Sequence, residues 1–506
     1  MLVLLTLLAC APLGARAAPR ELHVSTTGSD ATGDGSPGRP FRTVQRGAEQ
    51  AQGGDNVTIH AGVYRERVHP ATSGVTFQPF SGDAVTLTGA DPVAGWVPAG
   101  NSLWKVVLPS AATFGNFNPY LDQLMGDWFG AESRVHHSGA VYLGAAWLDE
   151  APTLASILPP LAPGAAPRWF ATVDGDTGTF LANLLWLAPR GSGANVSAGA
   201  PSWRYGSQPF NSSAGPCAAF ILGGNVLRFD SVDFGAAGAT ALDVGASAAA
   251  GAGAALEVRL GDRYGALLGA AALPATGGWE AWQTFSVPIA ATSGLQNISL
   301  VFLPPGYAAG NTTIYAQAPP GVDPNAGAEI NVRQTVLFPA TPFVDSITVR
   351  GLTLERAATQ WAPPSSLQVG IVGTHWSKGW VIEDNEVRYS RCSCVALGKY
   401  GDGTDNTNQH GQADPYTACV RRALANGWHK GEVGNHTVRN NYIHHCGQTG
   451  VLGSLGGAFS TIVGNHIHDA NWLQTFGGAE MSCIKLHGAV DVVIRDNHLH
   501  NCSSYG

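Results

Sequence analysis

Charge is scarce in this sequence of 506 residues: Asp, Glu, Lys and Arg together make up 13%, and there are only 3 Met. So few charges exclude a self-solvating disordered chain. A net charge of −8 without a basic cluster excludes nucleic acid and an anionic membrane surface as expected partners. No G-x-S-x-G elbow, P-loop or dinucleotide fingerprint occurs, so serine-hydrolase and nucleotide chemistry have no support. No C-x-x-C pair offers a zinc site. Beyond the N-terminus no apolar run is long enough to span a bilayer.

What the sequence has is Gly (65), Pro (31), Trp (14) and Phe (18), the composition of a turn-rich β protein with a packed core. The opening MLVLLTLLACAPLGARA ends in Ala15-Arg16-Ala17 and reads as a signal peptide over 1–17, implying a secreted, extracellular protein. Leu7-Leu8-Ala9-Cys10 offers the alternative of a lipoprotein anchor. Removing the signal leaves 7 of the 8 Cys, an odd number that cannot all pair internally. Sequons from Asn56 to Asn501 suit a glycoprotein.

Four C-terminal segments align on one Asn: VIEDNEVRYS, TVRNNYIHHC, TIVGNHIHDA and VIRDNHLHNC, with Asn385, Asn441, Asn465 and Asn497 in register. Short alternating strands around a polar turn residue are the signature of a parallel β-helix built from PbH1-type repeats. Stacked Asn side chains would hydrogen-bond along the ladder. Near the N-terminus, a helix from Val44 to Ala51 would close one end of the solenoid. The last repeat stops at Gly506 without such a closure, which reads as an incomplete chain.

The expected architecture is therefore all-β. A right-handed parallel β-helix (18–89 and 336–506) is interrupted by a jelly-roll-like insert (90–199 and 309–335), which itself carries a small β-sandwich (200–308). The sandwich is expected to be a removable accessory, with its ends near Pro201 and Gly306 close together.

Three stretches, FGNFNPYLDQLMGDWF (114–129), ATQWAPPSSLQVGIVGTHWSKGWVIEDN (358–385) and GGAEMSCIKLHGAVDVVI (477–494), resemble glycoside hydrolase family 120, the β-xylosidases built on a β-helix with an inserted jelly roll. LEVRLGDRYGALLG and TGGWEAWQTFSVPI make the nested sandwich resemble a family 6 carbohydrate-binding module. The first resemblance implies a retaining glycosidase acting on xylo-oligosaccharides or related plant or algal glycans. It places the catalytic Asp (in W-L-D-W) and Glu beyond Gly506, so no catalytic residue is assigned within this chain, which is expected to be inactive. Glu480 would match a pocket Glu of G-x-E-x-x-x-I-K-x-H.

Glu480, Lys485 and His487 lie in EMSCIKLHG, where alternation puts Lys485 and His487 on one face and Ile484 and Leu486 on the other. That face is either a sugar pocket or an exposed polar face. Trp361 and Trp376 would stack on pyranose rings or pack in the core, and the same choice holds for Trp279 and Trp282 in the module. Asn116, Phe117 and Tyr120 are further anchors on resemblance alone. His444, His468 and His500 form one outward column and His466 and His498 a second; a solvated ladder is favoured over a metal site. No cofactor is expected; calcium is raised only by GDGTDNTNQ (401–409), which lacks a closing Glu and reads as a loop tip. The alternatives to a glycosidase are a β-helix polysaccharide lyase with Lys485 as base, and a non-catalytic carbohydrate-binding protein.

Overall fold

The computed structural model describes residues 18–407, 413–478 and 480–503; the expected signal peptide lies outside them. The molecule is all-β. Its longest sheet stacks eight short strands in parallel: Glu21–Val24, Asn56–Ile59, Thr76–Pro79, Thr348–Arg350, Val381–Glu383, Thr437–Arg439, Thr461–Val463 and Val493–Arg495. A second parallel sheet of seven strands runs beside it from Gly62–Tyr64 to His498–Cys502. A third contains Gly370–Gly373, Ser393–Ala396, Thr449–Ser454 and Ser482–His487.

Successive passes of chain each give one strand to the first sheet, seven of them one to the second and four of them one to the third, so equivalent residues meet across the ladders. Val57, Phe77, Val349, Ile382, Val438 and Ile462 form one buried column, and Leu87, Leu354, Val387, Ile443 and Ile467 another. The corner between the first two sheets turns through a left-handed residue at Gly351, Asp384, Asn440, Gly464 and Asp496 (φ 56–68°). Gly, Asn and Asp tolerate that conformation best, which explains the residue before each repeated Asn. The Asn that follows is buried at Asn385, Asn441 and Asn465. Asn385 donates to Asn441 Oδ1 (3.0 Å), Asn441 to Asn465 Oδ1 (3.0 Å) and Asn465 to Asn497 Oδ1 (2.9 Å). Each also donates to a backbone carbonyl of the preceding pass, Val349, Ile382 or Val438, at 2.9 Å.

The helix expected near the N-terminus spans Val44–Gln50, with Thr43 accepting from Arg46 N–H and Ala51 as its C-terminal boundary. Val44, Gly47 and Ala48 are buried against the first strands. A Cβ at Gly47 would lie 2.9 Å from Val57 and 3.0 Å from Val24, so only Gly permits this approach.

The chain leaves the parallel sheets after Val85–Thr88 and returns at Thr348–Arg350, which pairs with Thr76–Pro79, followed by Thr353–Glu355, which pairs with Val85–Thr88. Between them lie two antiparallel sheets of the outer insert and a two-sheet sandwich. The sandwich recruits Ala182–Pro189 and Val196–Ser197, upstream of the composition shift at residue 200. It is also bound into its surroundings: Val226, Val301 and Leu303 belong to the insert's core, and Tyr205 Oη donates to Gln123 O (2.8 Å). The removable accessory expected from the sequence is thus corrected, because excision between Pro201 and Gly306 would cut through one sheet and expose a shared core.

Two disulfides, Cys394–Cys446 and Cys483–Cys502, tie the second sheet to the third; Cys217, Cys392 and Cys419 are buried thiols.

Candidate functional site

The Ser482–His487 strand ends the third sheet as resolved, paired in parallel with Thr449–Ser454. Ile484 and Leu486 pack toward the core and stand beside Val451 and Gly453, while Lys485 and His487 stand beside Leu452 and Ser454. This is the alternation expected from the sequence.

Glu480, one turn before the strand, is only 4% exposed. Its two carboxylate oxygens lie 2.9 and 3.1 Å from His487 Nε2, and its backbone carbonyl accepts from Thr449 Oγ1. Tyr416, from the Ala413–Ala425 helix, sets its ring edge-on to His487 at 5.5 Å. Burial pushes the Tyr416 phenol up to about 12, so it remains protonated at neutral pH. The result is a carboxylate oriented by an imidazole that a phenol flanks edge-on, an arrangement that suits hydrogen bonding to sugar hydroxyls. No sequence pattern announced Tyr416, since the helix carrying it lies between repeats.

Trp361 packs beneath this segment. It is 2% exposed, donates from Nε1 to Asp127 O (2.9 Å), and lies against Gly478 and the Phe129 and Phe476 rings. Gly477–Gly478 pairs with Phe129–Gly130, so the outer insert closes over the strand-bearing wall here. Trp361 therefore takes the core-packing alternative, with its ring against Gly478. Trp376 is 1% exposed and lies elsewhere, edge-on to Tyr400 at 4.8 Å and at the wall of a cavity facing the sandwich. Phe117 and Tyr120 are buried packing residues, and Asn116 bonds to Arg263 O.

In the sandwich Trp279 is 38% exposed, and Trp282 Nε1 lies 3.4 Å from Glu280 Oε2. An exposed cluster of Phe180, Phe210 and Phe220 accompanies them.

The GDGTDNTNQ segment differs from the loop tip expected of it; its Asn408 and Gln409 lie outside the described residues. Asp402 and Asp405 both hold the buried Lys399 ammonium, at 3.0 and 3.1 Å. Asp405 also accepts from Trp203 Nε1 (3.0 Å), and Gly403 O from Arg204 Nε (2.8 Å). The acidic spacing therefore serves an internal cation and docks the sandwich.

The His columns stack as expected: ring centroids are 5.2 Å apart for His444 and His468, 4.7 Å for His468 and His500, and 4.6 Å for His466 and His498. Nitrogens of His466, His468 and His500 come within 4.8 Å of one another. His468 is, however, engaged by Asp469 (2.7 Å) and Tyr442 Oη (2.9 Å).

Comparisons with known proteins agree with the inserted units. Residues 93–193 match the family model described as glycoside hydrolase 120, insertion domain, and residues 198–309 match carbohydrate binding module (family 6). An arabinoxylan arabinofuranohydrolase of Paenibacillus polymyxa is 34% identical over 113 residues, 21% of this chain and 18% of that protein. The structure of XylC in complex with xylose superposes with a TM-score of 0.63 at 28% identity, covering 96% of this chain. This chain spans 59% of the XylC chain. The resemblance to family 120 with a nested family 6 module is borne out, and the protein is similar to carbohydrate-active hydrolases.

Proposed function

We propose that this is a secreted, xylosidase-related glycoside hydrolase built on a right-handed parallel β-helix, which binds xylo-oligosaccharides at the face carrying Glu480, Lys485 and His487. The observation that carries this reading is the Glu480 carboxylate, held by His487 Nε2 at 2.9 Å, with Tyr416 edge-on to that imidazole. A buried carboxylate oriented in this way offers charge-assisted acceptors to sugar hydroxyls. Three parallel sheets built up strand by strand from successive passes support the β-helix, and the likeness to a xylose-bound structure supports the sugar class.

A retaining glycosidase needs two carboxyl groups about 5–5.5 Å apart, one as nucleophile and one as acid then base. The W-L-D-W stretch expected to carry the nucleophile does not occur in these 506 residues. The readout proposed for this chain is accordingly sugar binding without turnover. Calorimetric titration with xylotriose tests the first half and release from an aryl β-xyloside the second. Absent xylotriose binding at millimolar sugar would sink the reading; specific aryl xyloside turnover would mean that the reacting carboxylates lie within the chain.

A further inference from the structure

A cavity of about 410 Å³ lies where the nested sandwich faces the parallel sheets. Its volume falls within the range of small-molecule sites, roughly 300–1,000 Å³. Glu480, Lys485 and His487 do not line it. The sandwich contributes Trp203, Arg228 and Tyr264; Arg67, Thr335 and Trp376 come from the opposite wall.

Its polar groups are unevenly satisfied. Arg228 pairs with Asp230 at 2.7 Å. Arg67 instead lies flat on the Tyr264 ring, 3.5 Å from its centroid, with Nε and Nη1 buried and unpartnered among the described residues. Thr335 Oγ1 and Trp376 Nε1 are likewise buried without partners among those residues. Burial pushes the Arg67 guanidinium below its usual range, with the charge of Asp262 offsetting this only in part. Folded proteins leave few buried donors unpaired, since each carries the cost of its lost hydration, a larger cost for a charged group. Water satisfies a hydroxyl or an indole N–H but supplies no countercharge. A guanidinium held flat and short of acceptors matches a carboxylate, the planar anion it binds through two parallel bonds. Trp203, Tyr264 and Trp376 add the aromatic surface that suits the C–H face of a sugar ring.

We propose that this cavity binds an acidic saccharide, a uronic-acid residue whose carboxylate meets Arg67 while its hydroxyls meet Thr335 and Trp376. From the preceding reading it takes only that the ligand is a saccharide. The site would let the inserted sandwich and the parallel sheets hold one glycan side group jointly, away from Glu480.

The test titrates the whole chain with xylotriose bearing a glucuronic acid substituent and with plain xylotriose, followed by calorimetry and tryptophan fluorescence. The acidic sugar is expected to bind about tenfold tighter or better, as one charge-assisted contact allows. Arg67→Gln should abolish that preference and Arg67→Lys retain part of it, with melting curves confirming folded protein. Should Arg67→Gln fail to fold, Thr335→Val serves, with about threefold weaker acidic-sugar binding expected from losing one neutral hydrogen bond. Equal affinities for the two sugars, or a preference unaffected by these substitutions, would overturn the proposal. If plain xylotriose binds with sensitivity to Glu480→Gln and no acidic preference appears, only the cavity proposal falls. If neither sugar binds, both readings fall.

Discussion

Glu480 and Lys399 show two opposite uses of a buried charge. Among the described residues the Glu480 carboxylate is held by one imidazole, that of His487, and retains acceptor capacity for a ligand. Glu480→Gln keeps a similar shape but loses the charge-assisted bonds, so xylotriose binding should weaken roughly 10- to 100-fold with little change in melting temperature. An unchanged dissociation constant would remove Glu480 from the sugar site. Lys399 is fully consumed: burial alone would lower it, but the charges of Asp405 and Asp402 prevail and raise it, while Asp402 is drawn down to about 2. Lys399→Met would leave the buried Asp405 carboxylate without its cation, Asp402 keeping Arg422 at 3.1 Å, and should cost about 3–5 kcal/mol, read as a lowered denaturant midpoint. At this scale the sequence was legible where a strand's alternation fixed direction, as for Lys485 and His487. It was not legible where partners came from distant segments. Nothing in GDGTDN reveals that its acids face Lys399 and Trp203, and nothing near Tyr416 reveals that it covers His487.

The repeated element was readable because its physics is local. The left-handed corner demands Gly, Asn or Asp, the next position demands a side chain able to donate twice, and the flanking positions demand β-branched or aliphatic residues. These demands recur in each pass and print a pattern into the chain. Asn441 is the middle of the resolved ladder: it donates to Asn465 Oδ1 and Ile382 O, and its own Oδ1 accepts from both the backbone and side-chain N–H of Asn385. Asn441→Ala should therefore destabilise by about 2–4 kcal/mol, because it orphans buried donors and an acceptor in two adjacent passes. Urea unfolding measures this directly; a loss near zero would show that water replaces the ladder. The inserted sandwich has no comparable repeat. One of its sheets also takes in Ala182–Pro189, a strand from the outer insert, a pairing that composition does not reveal.

At the scale of the whole molecule, burial of histidine sets a pH limit that no short segment predicts. His69, His136, His375 and His445 are each pushed down to about 4, and His436 to about 3, in every case chiefly by desolvation. In the unfolded chain such imidazoles take up protons near pH 6.5. Between pH 6.5 and 4 the unfolded state thus binds more protons than the folded one, and stability falls as pH falls. Asp122 and Asp405 act in the opposite sense: burial raises each to about 6, so they favour the folded state as pH drops through that window. Five imidazoles outweigh these two carboxyls, and the net slope favours neutral pH. Melting temperature should therefore decline steadily from pH 7 to pH 4.5. His436 makes the test specific, since its Nδ1 accepts the Trp380 N–H at 3.2 Å, a bond that the amide oxygen of Gln can also form. His436→Gln should lower the slope of melting temperature against pH while leaving the neutral-pH value within a few degrees. A slope unchanged by that substitution, or a melting temperature flat across the window, would show that these imidazoles are hydrated in the folded protein.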